Sequence, residues 1–183
     1  EDSERDRRLV AYVVPHWDGE PEDGQTSSLV TQWQSVFDET YQGSSEAAGA
    51  FNTVGWTSSY TREEIAGEEM REWLEGTVAR LEELAPKRVL EIGCGTGMLL
   101  LRLAPQCQRY VGTDFSAQAL EYVRGQVGEQ GLTGVELVRC AAHDLSEVPT
   151  DAFDLVILNS VVQYFPSVEY LIQVLDGVLG LVL

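Results

Sequence analysis

The sequence predicts an α/β fold built on a doubly wound, mostly parallel sheet. Three observations carry this expectation. From residue 87 onward, short apolar runs alternate with helix-period segments, which requires crossover connections and parallel pairing. The first run, "RVLEI", ends in Gly93, Gly95 and Gly97 at alternate positions, where a backbone can come close to a ligand. The second run ends in Asp114, about 20 residues further on, where an acid can bond ribose hydroxyls at a strand tip.

Taken in order, "RLVAYVVP" (8–15) reads as a short strand stopped by Pro15. Residues 16–28, rich in Gly, Pro, Glu, Asp and Ser, read as a linker or mobile loop. Val30, Trp33, Val36, Phe37 and Tyr41 then fall on one side of a helix over 29–42. The small-residue stretch that follows carries Phe51, Trp56 and Tyr60, too many aromatics for a solvated tether. "TREE" has the capping-box form, so Thr61 is expected to start a helix running to about Pro86. Its apolar stripe is Ile65, Trp73, Leu74, Val78, Leu81 and Leu84, and Glu63, Glu64, Glu68, Glu69 and Glu72 form a solvated face.

Strands are expected at Arg88–Ile92, Arg109–Gly112, Val135–Cys140 and Asp154–Leu158. Helices fall near Met98–Ala104 and Ser116–Gln130. A last helix follows Pro166 and Ser167, carrying Val168, Leu171, Ile172, Leu175, Val178 and Leu179. The alternation stops there, after four strands, so the sheet is expected to be truncated and to continue in strands beyond Leu183. The chain begins without Met and is expected to be part of something longer.

Composition narrows the function. The 183 residues carry 12 Lys and Arg against 30 Asp and Glu, a net charge of −18. That leaves too few cations for a basic face, which argues against nucleic acid as partner or substrate. Cys94, Cys107 and Cys140 are odd in number and widely spaced, without a C-x-x-C, so no metal site or disulfide framework is expected. With no signal-peptide pattern and no membrane-length apolar run, a cytoplasmic, non-membrane protein is expected.

The glycine spacing matters. A dinucleotide fingerprint reads G-x-G-x-x-G, and here the third glycine comes one residue early, with Met98 following it. That weakens a nicotinamide-dinucleotide reading. A carboxylate at Asp114 still suits any ribose without a 2′-phosphate. A glycine turn alone also serves helix–strand packing; Asp114 at the next strand end favours the ligand.

Four quoted motifs now carry a resemblance. "VLEIGCGTG", "YVGTDFS", "AAHDL" and "FDLVILNSVVQYF" resemble, in order and spacing, the motifs of class I S-adenosylmethionine (SAM)-dependent methyltransferases. "FNTVGWTSSYT", "EEMREWLEGTVARL" and "LNSVVQYFPSVEYL" look like methyltransferase domains embedded in nonribosomal peptide synthetases and related polyketide synthases. "DRRLVAYVVP" resembles the adenylation-domain segment before such an insertion. The resemblance implies a Rossmann-like core over 87–183, a helical or lid region over 29–86 and a linker over 1–28. It implies SAM as cofactor, with S-adenosylhomocysteine (SAH) as product. Gly93, Cys94, Gly95 and Gly97 would face its methionyl part, with Glu91 helping to position the loop and the amino group. Asp114 would hold the ribose diol, with Phe115 beside it. His143 and Asp144 would lie near adenine, and Asn159 and Ser160 on the methionyl side. Where the pattern has a second acid, this chain has His143.

Methyl transfer from a sulfonium is an in-line displacement, so the protein mainly aligns the partners and excludes water. The catalytic candidates are Gln163, Tyr164 and His143. Tyr164 and Phe165 read equally well as packing under the last helix, and His143 also as a cofactor-side or surface histidine. Tyr60 and Trp56 are candidates to close over SAM, whereas Cys94 is explained by its small size and Met70 and Trp73 by core packing. No N/D-P-P-aromatic motif follows strand 4, where the sequence reads Asn159-Ser160-Val161-Val162; this again argues against a nucleic-acid acceptor. The resemblance implies an acyl or peptidyl carrier protein presenting a phosphopantetheinyl-bound acceptor, with neighbouring synthase domains as partners. The adenylation-like opening favours N-methylation slightly over O-methylation. A free-standing small-molecule methyltransferase and a non-catalytic SAM-binding module remain open.

Overall fold

Strand β1 (Arg88–Ile92), buried from Val89 to Ile92, sits inside a four-stranded sheet of order β3-β2-β1-β4. Its neighbours are β2 (Arg109–Asp114) and β4 (Leu155–Leu158), and β3 (Val135–Arg139) lies beyond β2. Every pairing is parallel: Arg88 registers with Arg109, Val89 with Leu155 and Tyr110 with Val135. The computed structural model describes residues 23–42, 49–58, 60–150 and 153–182. Its helices are α1 (Asp23–Gln42), α2 (Gly67–Glu82), α3 (Leu100–Leu103), α4 (Ala117–Glu129) and α5 (Val168–Leu179). Short 3₁₀ turns occupy Ala104–Gln106 and Val162–Tyr164. The expected doubly wound sheet with a helical N-terminal region is therefore present.

Alternation along the strands sorts the core into two layers. Val89 and Tyr110 pack with Met70, Leu74 and Val78 of α2, the α3 leucines, and Leu120 and Val123 of α4. Leu90, Ile92 and Val111 face the other way, onto Tyr170, Val174 and Val178 of α5. Asp154 fixes the start of β1, accepting hydrogen bonds from the backbone N–H groups of Lys87 (3.0 Å) and Arg88 (3.0 Å). The strand order reverses between β1 and β4, and a crevice opens there at the carboxyl ends of the strands.

Several local expectations are corrected. Thr61 does not cap a helix, because α2 begins only at Gly67, with Ala66 at its N-cap. Instead the Thr61 hydroxyl accepts from the Glu63 N–H (3.3 Å), a local turn that competes with helix entry. Ile65 therefore precedes α2, and Leu84 follows it, 64% exposed. Helix α1 starts at Asp23, so residues 23–28 are helical rather than linker. The expected strand over 8–15 and the rest of the linker, 16–22, lie outside the described residues. Around Leu100 the helix is a single short turn extended by a 3₁₀ segment, ended by Pro105 and Gln106. On α5, Val178 is buried as expected, but its buried companions are Tyr170 and Val174, while Val168, Ile172, Leu175 and Leu179 are exposed. Glu169, Gln173 and Asp176 share one face of this helix, and the apolar arc opposite is wider than the surface it covers, so its sequence does not say which part of the arc packs.

Candidate active site

The turn after β1 is docked onto β2: the N–H groups of Gly93 and Cys94 both donate to the Thr113 carbonyl, at 2.8 and 2.9 Å. Gly93, Gly95 and Gly97 all adopt left-handed backbone, with φ of 74°, 52° and 77°. Their surroundings differ. A Cβ at Gly97 would lie 2.9 Å from Val123 Cγ2, and one at Gly93 would lie 2.9 Å from Val161 Cγ2. A Cβ at Gly95 would meet only the Tyr41 hydroxyl, at 3.2 Å. Two of the glycines thus permit close packing, and the middle one leaves bare backbone facing a cavity of about 790 Å³, a size suited to a drug-sized ligand.

Asp114, at the tip of β2, lines that cavity and is only 6% exposed. Its Oδ2 accepts from the Gly95 N–H (2.9 Å) and its Oδ1 from the Ser116 N–H (2.8 Å). Each oxygen keeps a further lone pair for a ligand hydroxyl. Burial pushes the carboxyl up to about 6, while those backbone N–H groups pull it back. Glu91 also lines the cavity; Tyr110 donates its hydroxyl proton to Glu91 Oε2 at 2.9 Å. Burial drives the Glu91 carboxyl up to about 8, so it is protonated at neutral pH. Burial likewise raises the Cys94 thiol well above its ordinary value, which makes it a packing group rather than a nucleophile.

The opposite wall comes from the end of β4. Ser160 adopts a left-handed φ of 54°, and its carbonyl accepts from the Gln163 side-chain amide at 2.9 Å. Asn159, Ser160, Gln163 and Tyr164 all face the cavity. Phe165 packs on Tyr170, with centroids 5.0 Å apart, whereas Tyr164 turns away to meet α1. Of this pair, Phe165 packs under the last helix and Tyr164 meets α1. Trp33 lies 5.0 Å and Phe37 5.2 Å from the Tyr164 ring, and Phe37 also meets Phe115 edge-on at 5.9 Å.

The remaining candidates are placed as follows. Phe115 and Tyr60 line the cavity, Tyr60 at its rim and 86% exposed. Trp56 also lines it and stacks against Trp73, with centroids 4.6 Å apart. His143 is set back from the wall, its Nδ1 2.8 Å from the Tyr170 hydroxyl. Asp144 is exposed and turned toward Ser146, whose hydroxyl and N–H hold its carboxyl below the usual range. The cavity wall nearest them is formed by Ala141, Ala142 and Tyr170 instead. Sequence reasoning missed Trp33, Phe37 and Tyr41 as site residues. Their spacing announced an apolar stripe, but nothing in it named the surface that the stripe covers.

Residues 90–182 match the family of methyltransferase domains. The chain belongs to this family. Among curated relatives, this methyltransferase domain is 44% identical over 180 residues to chondramide synthase cmdD of Chondromyces crocatus, covering 97% of the chain and 5% of that protein. It is 39% identical over 181 residues to the beauvericin nonribosomal cyclodepsipeptide synthetase of Beauveria bassiana, covering 95% of the chain and 6% of that protein. The domain thus spans a small fraction of the relatives it matches. Among solved structures, it resembles magnesium protoporphyrin IX methyltransferase (ChlM) from Synechocystis PCC 6803, crystallised with SAM. The TM-score is 0.62 at 18% identity, covering 84% of the domain and 72% of that chain, a likeness of fold. The methyltransferase family read from the motifs is therefore borne out. Among the described residues, no helix is long and apolar enough to cross a membrane.

Proposed function

We propose that this domain transfers a methyl group from SAM to an amine of a carrier-bound aminoacyl or peptidyl acceptor within a larger synthase. The observation that carries the reading is the convergence, in one cavity, of the open Gly95 backbone, the Asp114 carboxylate and the Asn159–Tyr164 wall. SAM, when bound, supplies a methyl group already activated on a sulfonium. The residues present fit it. Bare backbone at Gly95 admits close approach, and the free lone pairs of Asp114 suit a ribose diol. The Asp114 carboxylate on the cavity wall suits a ligand bearing positive charge.

The chain's own contribution is alignment and exclusion of water. Trp33, Phe37 and Tyr41 cover one side of the cavity, and Trp56 with Trp73 another. An amine acceptor needs only to be deprotonated, whereas a hydroxyl needs a general base within hydrogen-bond reach. His143 is tied to Tyr170 behind the wall, and the groups on the acceptor side are the Gln163 amide and the Tyr164 phenol. That arrangement supports N-methylation over O-methylation. The relatives' names, both of synthases many times longer, support a carrier-borne acceptor.

Calorimetry with SAM on wild type and Asp114→Ala tests the donor half. Loss of two hydrogen bonds to a charged acceptor should weaken SAM by about 3 kcal/mol, roughly a hundredfold. Equal affinities would show that Asp114 does not hold the donor. Mass spectrometry of aminoacyl- and hydroxyacyl-loaded carriers tests the acceptor; a 14 Da gain (about one CH₂) confined to the hydroxyacyl carrier would reverse the assignment.

A further inference from the structure

We propose that Tyr60 and Arg62, at the rim of the cavity, form a docking site for the pantoyl-phosphate end of a phosphopantetheinyl arm. This rests on the carrier-bound acceptor proposed above and adds the residues that would receive its tether. Both side chains belong to the turn between Thr57 and Glu64, which pair as an isolated antiparallel bridge. The turn is closed by backbone hydrogen bonds from Ser58 N–H to the Glu63 carbonyl (2.8 Å) and from Arg62 N–H to the Ser58 carbonyl (2.8 Å). The Ser58 hydroxyl oxygen accepts from the N–H groups of Tyr60 (3.2 Å) and Thr61 (3.3 Å). These bonds tie the described residues of the turn to one another and present Tyr60 and Arg62 from it.

Arg62 is distinctive on three counts. Its φ of 62° lies in the left-handed region that favours glycine, yet the position carries a long cationic side chain. It is the single cation among the described residues that line the cavity, which also presents Glu69, Glu91 and Asp114. Among the described residues no acid forms an ion pair with it, although Glu63 and Glu64 follow it directly in sequence. A chain of net charge −18 repels anions, so an anionic ligand that uses this cavity needs a local cation at the entrance.

Tyr60 supplies the second half of the site. Its ring is 86% exposed, two residues from Arg62 and on the same rim. A large aromatic ring left in water two residues from a guanidinium matches a ligand that is apolar next to an anion. A phosphopantetheinyl arm has that character where its gem-dimethyl carbon adjoins the phosphate. The thioester end then points inward, toward the Asn159–Tyr164 wall, while the phosphate stays at the mouth.

Intrinsic tryptophan fluorescence, with Trp33, Trp56 and Trp73 on the cavity wall, reads the test. 4′-Phosphopantetheine and pantetheine are titrated into the whole domain, with and without SAM. Wild type should bind the phosphorylated probe about fivefold more tightly, the upper range for an exposed ion pair, and the preference should fade in high salt. Arg62→Gln should erase the preference, and so should Arg62→Gly, which relieves the backbone and cannot fail by straining the turn. Tyr60→Ala should weaken both probes alike. Equal affinities for the two probes in wild type, or a preference retained by Arg62→Gly, overturn the assignment. So does a loss of SAM affinity in the Arg62 variants, which would give the guanidinium to the donor. SAM calorimetry on wild type separates the failures: no SAM binding defeats the methyltransferase reading, and SAM binding without phosphate discrimination defeats only the docking site.

Discussion

Glu91→Gln isolates the buried acid at the base of the glycine turn. Glu91 is 3% exposed and accepts one hydrogen bond, from the hydroxyl of the equally buried Tyr110. Burial is the main cause raising its carboxyl from 4.5 to about 8, and the Tyr110 hydrogen bond works against it. Between those values the folded chain holds a proton that the unfolded chain has released. Stability therefore falls as pH rises across the window: the contribution is fully present below 4.5 and lost as pH climbs through about 8. At about 1.4 kcal/mol per pH unit the span is worth roughly 5 kcal/mol, and water penetration and relaxation trim such penalties to a few kcal/mol. A glutamine keeps an oxygen for the Tyr110 hydroxyl and has no proton to lose. Urea unfolding of wild type and Glu91→Gln at intervals from pH 5 to pH 9 gives the difference curve, from which Asp114 and the surface acids largely cancel. Relative to the variant, wild type should lose about 3 kcal/mol over that range, most of it above pH 6. A flat difference would refute the burial argument and show that Glu91 is ionised in the folded state.

Three other perturbations separate packing from ligand binding. Gly97→Ala combines left-handed strain with a 2.9 Å clash against Val123 Cγ2, and should cost about 2–4 kcal/mol by chemical denaturation. Adding Val123→Ala should bring that substitution's own further cost down to the strain alone, about 1–2 kcal/mol. Gly95→Ala meets only the Tyr41 hydroxyl and should cost less stability than Gly97→Ala, yet lower SAM affinity about tenfold in calorimetry. Phe37→Ala removes the ring that touches Trp33, Tyr41, Phe115 and Tyr164. Hydrogen exchange should then quicken across α1 and leave the β1 and β2 amides unchanged.

The core from β1 to β4 could be read in advance because each strand is a short apolar run between turn residues, and parallel pairing follows from the crossovers. The place of Asp114 at the tip of β2 could be read because a strand end is a local property. Other features depend on contacts that sequence neighbours do not encode. "TREE" satisfies a capping pattern, but Thr61 bonds the Glu63 N–H in a turn whose geometry the Thr57–Glu64 bridge selects. On α5 the apolar arc is wider than the side that packs, and the buried part is chosen by Phe153, Leu90 and Val111 across the layer. Asp144 stands next to His143 in a motif-like loop, yet its carboxylate is satisfied two residues away by Ser146. Local hydrogen bonding won in the first and third cases, and long-range packing in the second.

Helix α1 shows how these levels combine at the site. No residue of α1 described for burial is fully buried, so tertiary packing holds it only by one edge. Two of its polar ties reach one side: Gln34 donates to the Phe115 carbonyl, and Asp38 accepts from the Ser116 hydroxyl, both just past β2. Toward the end of β4, Trp33 and Phe37 meet the ring of Tyr164. Breaking edge-on ring contacts costs about 1 kcal/mol each beyond the area exposed, and leaves no polar group unsatisfied. Pulling Asp38 from Ser116 strands two hydrogen-bonding groups in a partly buried setting, the costlier event.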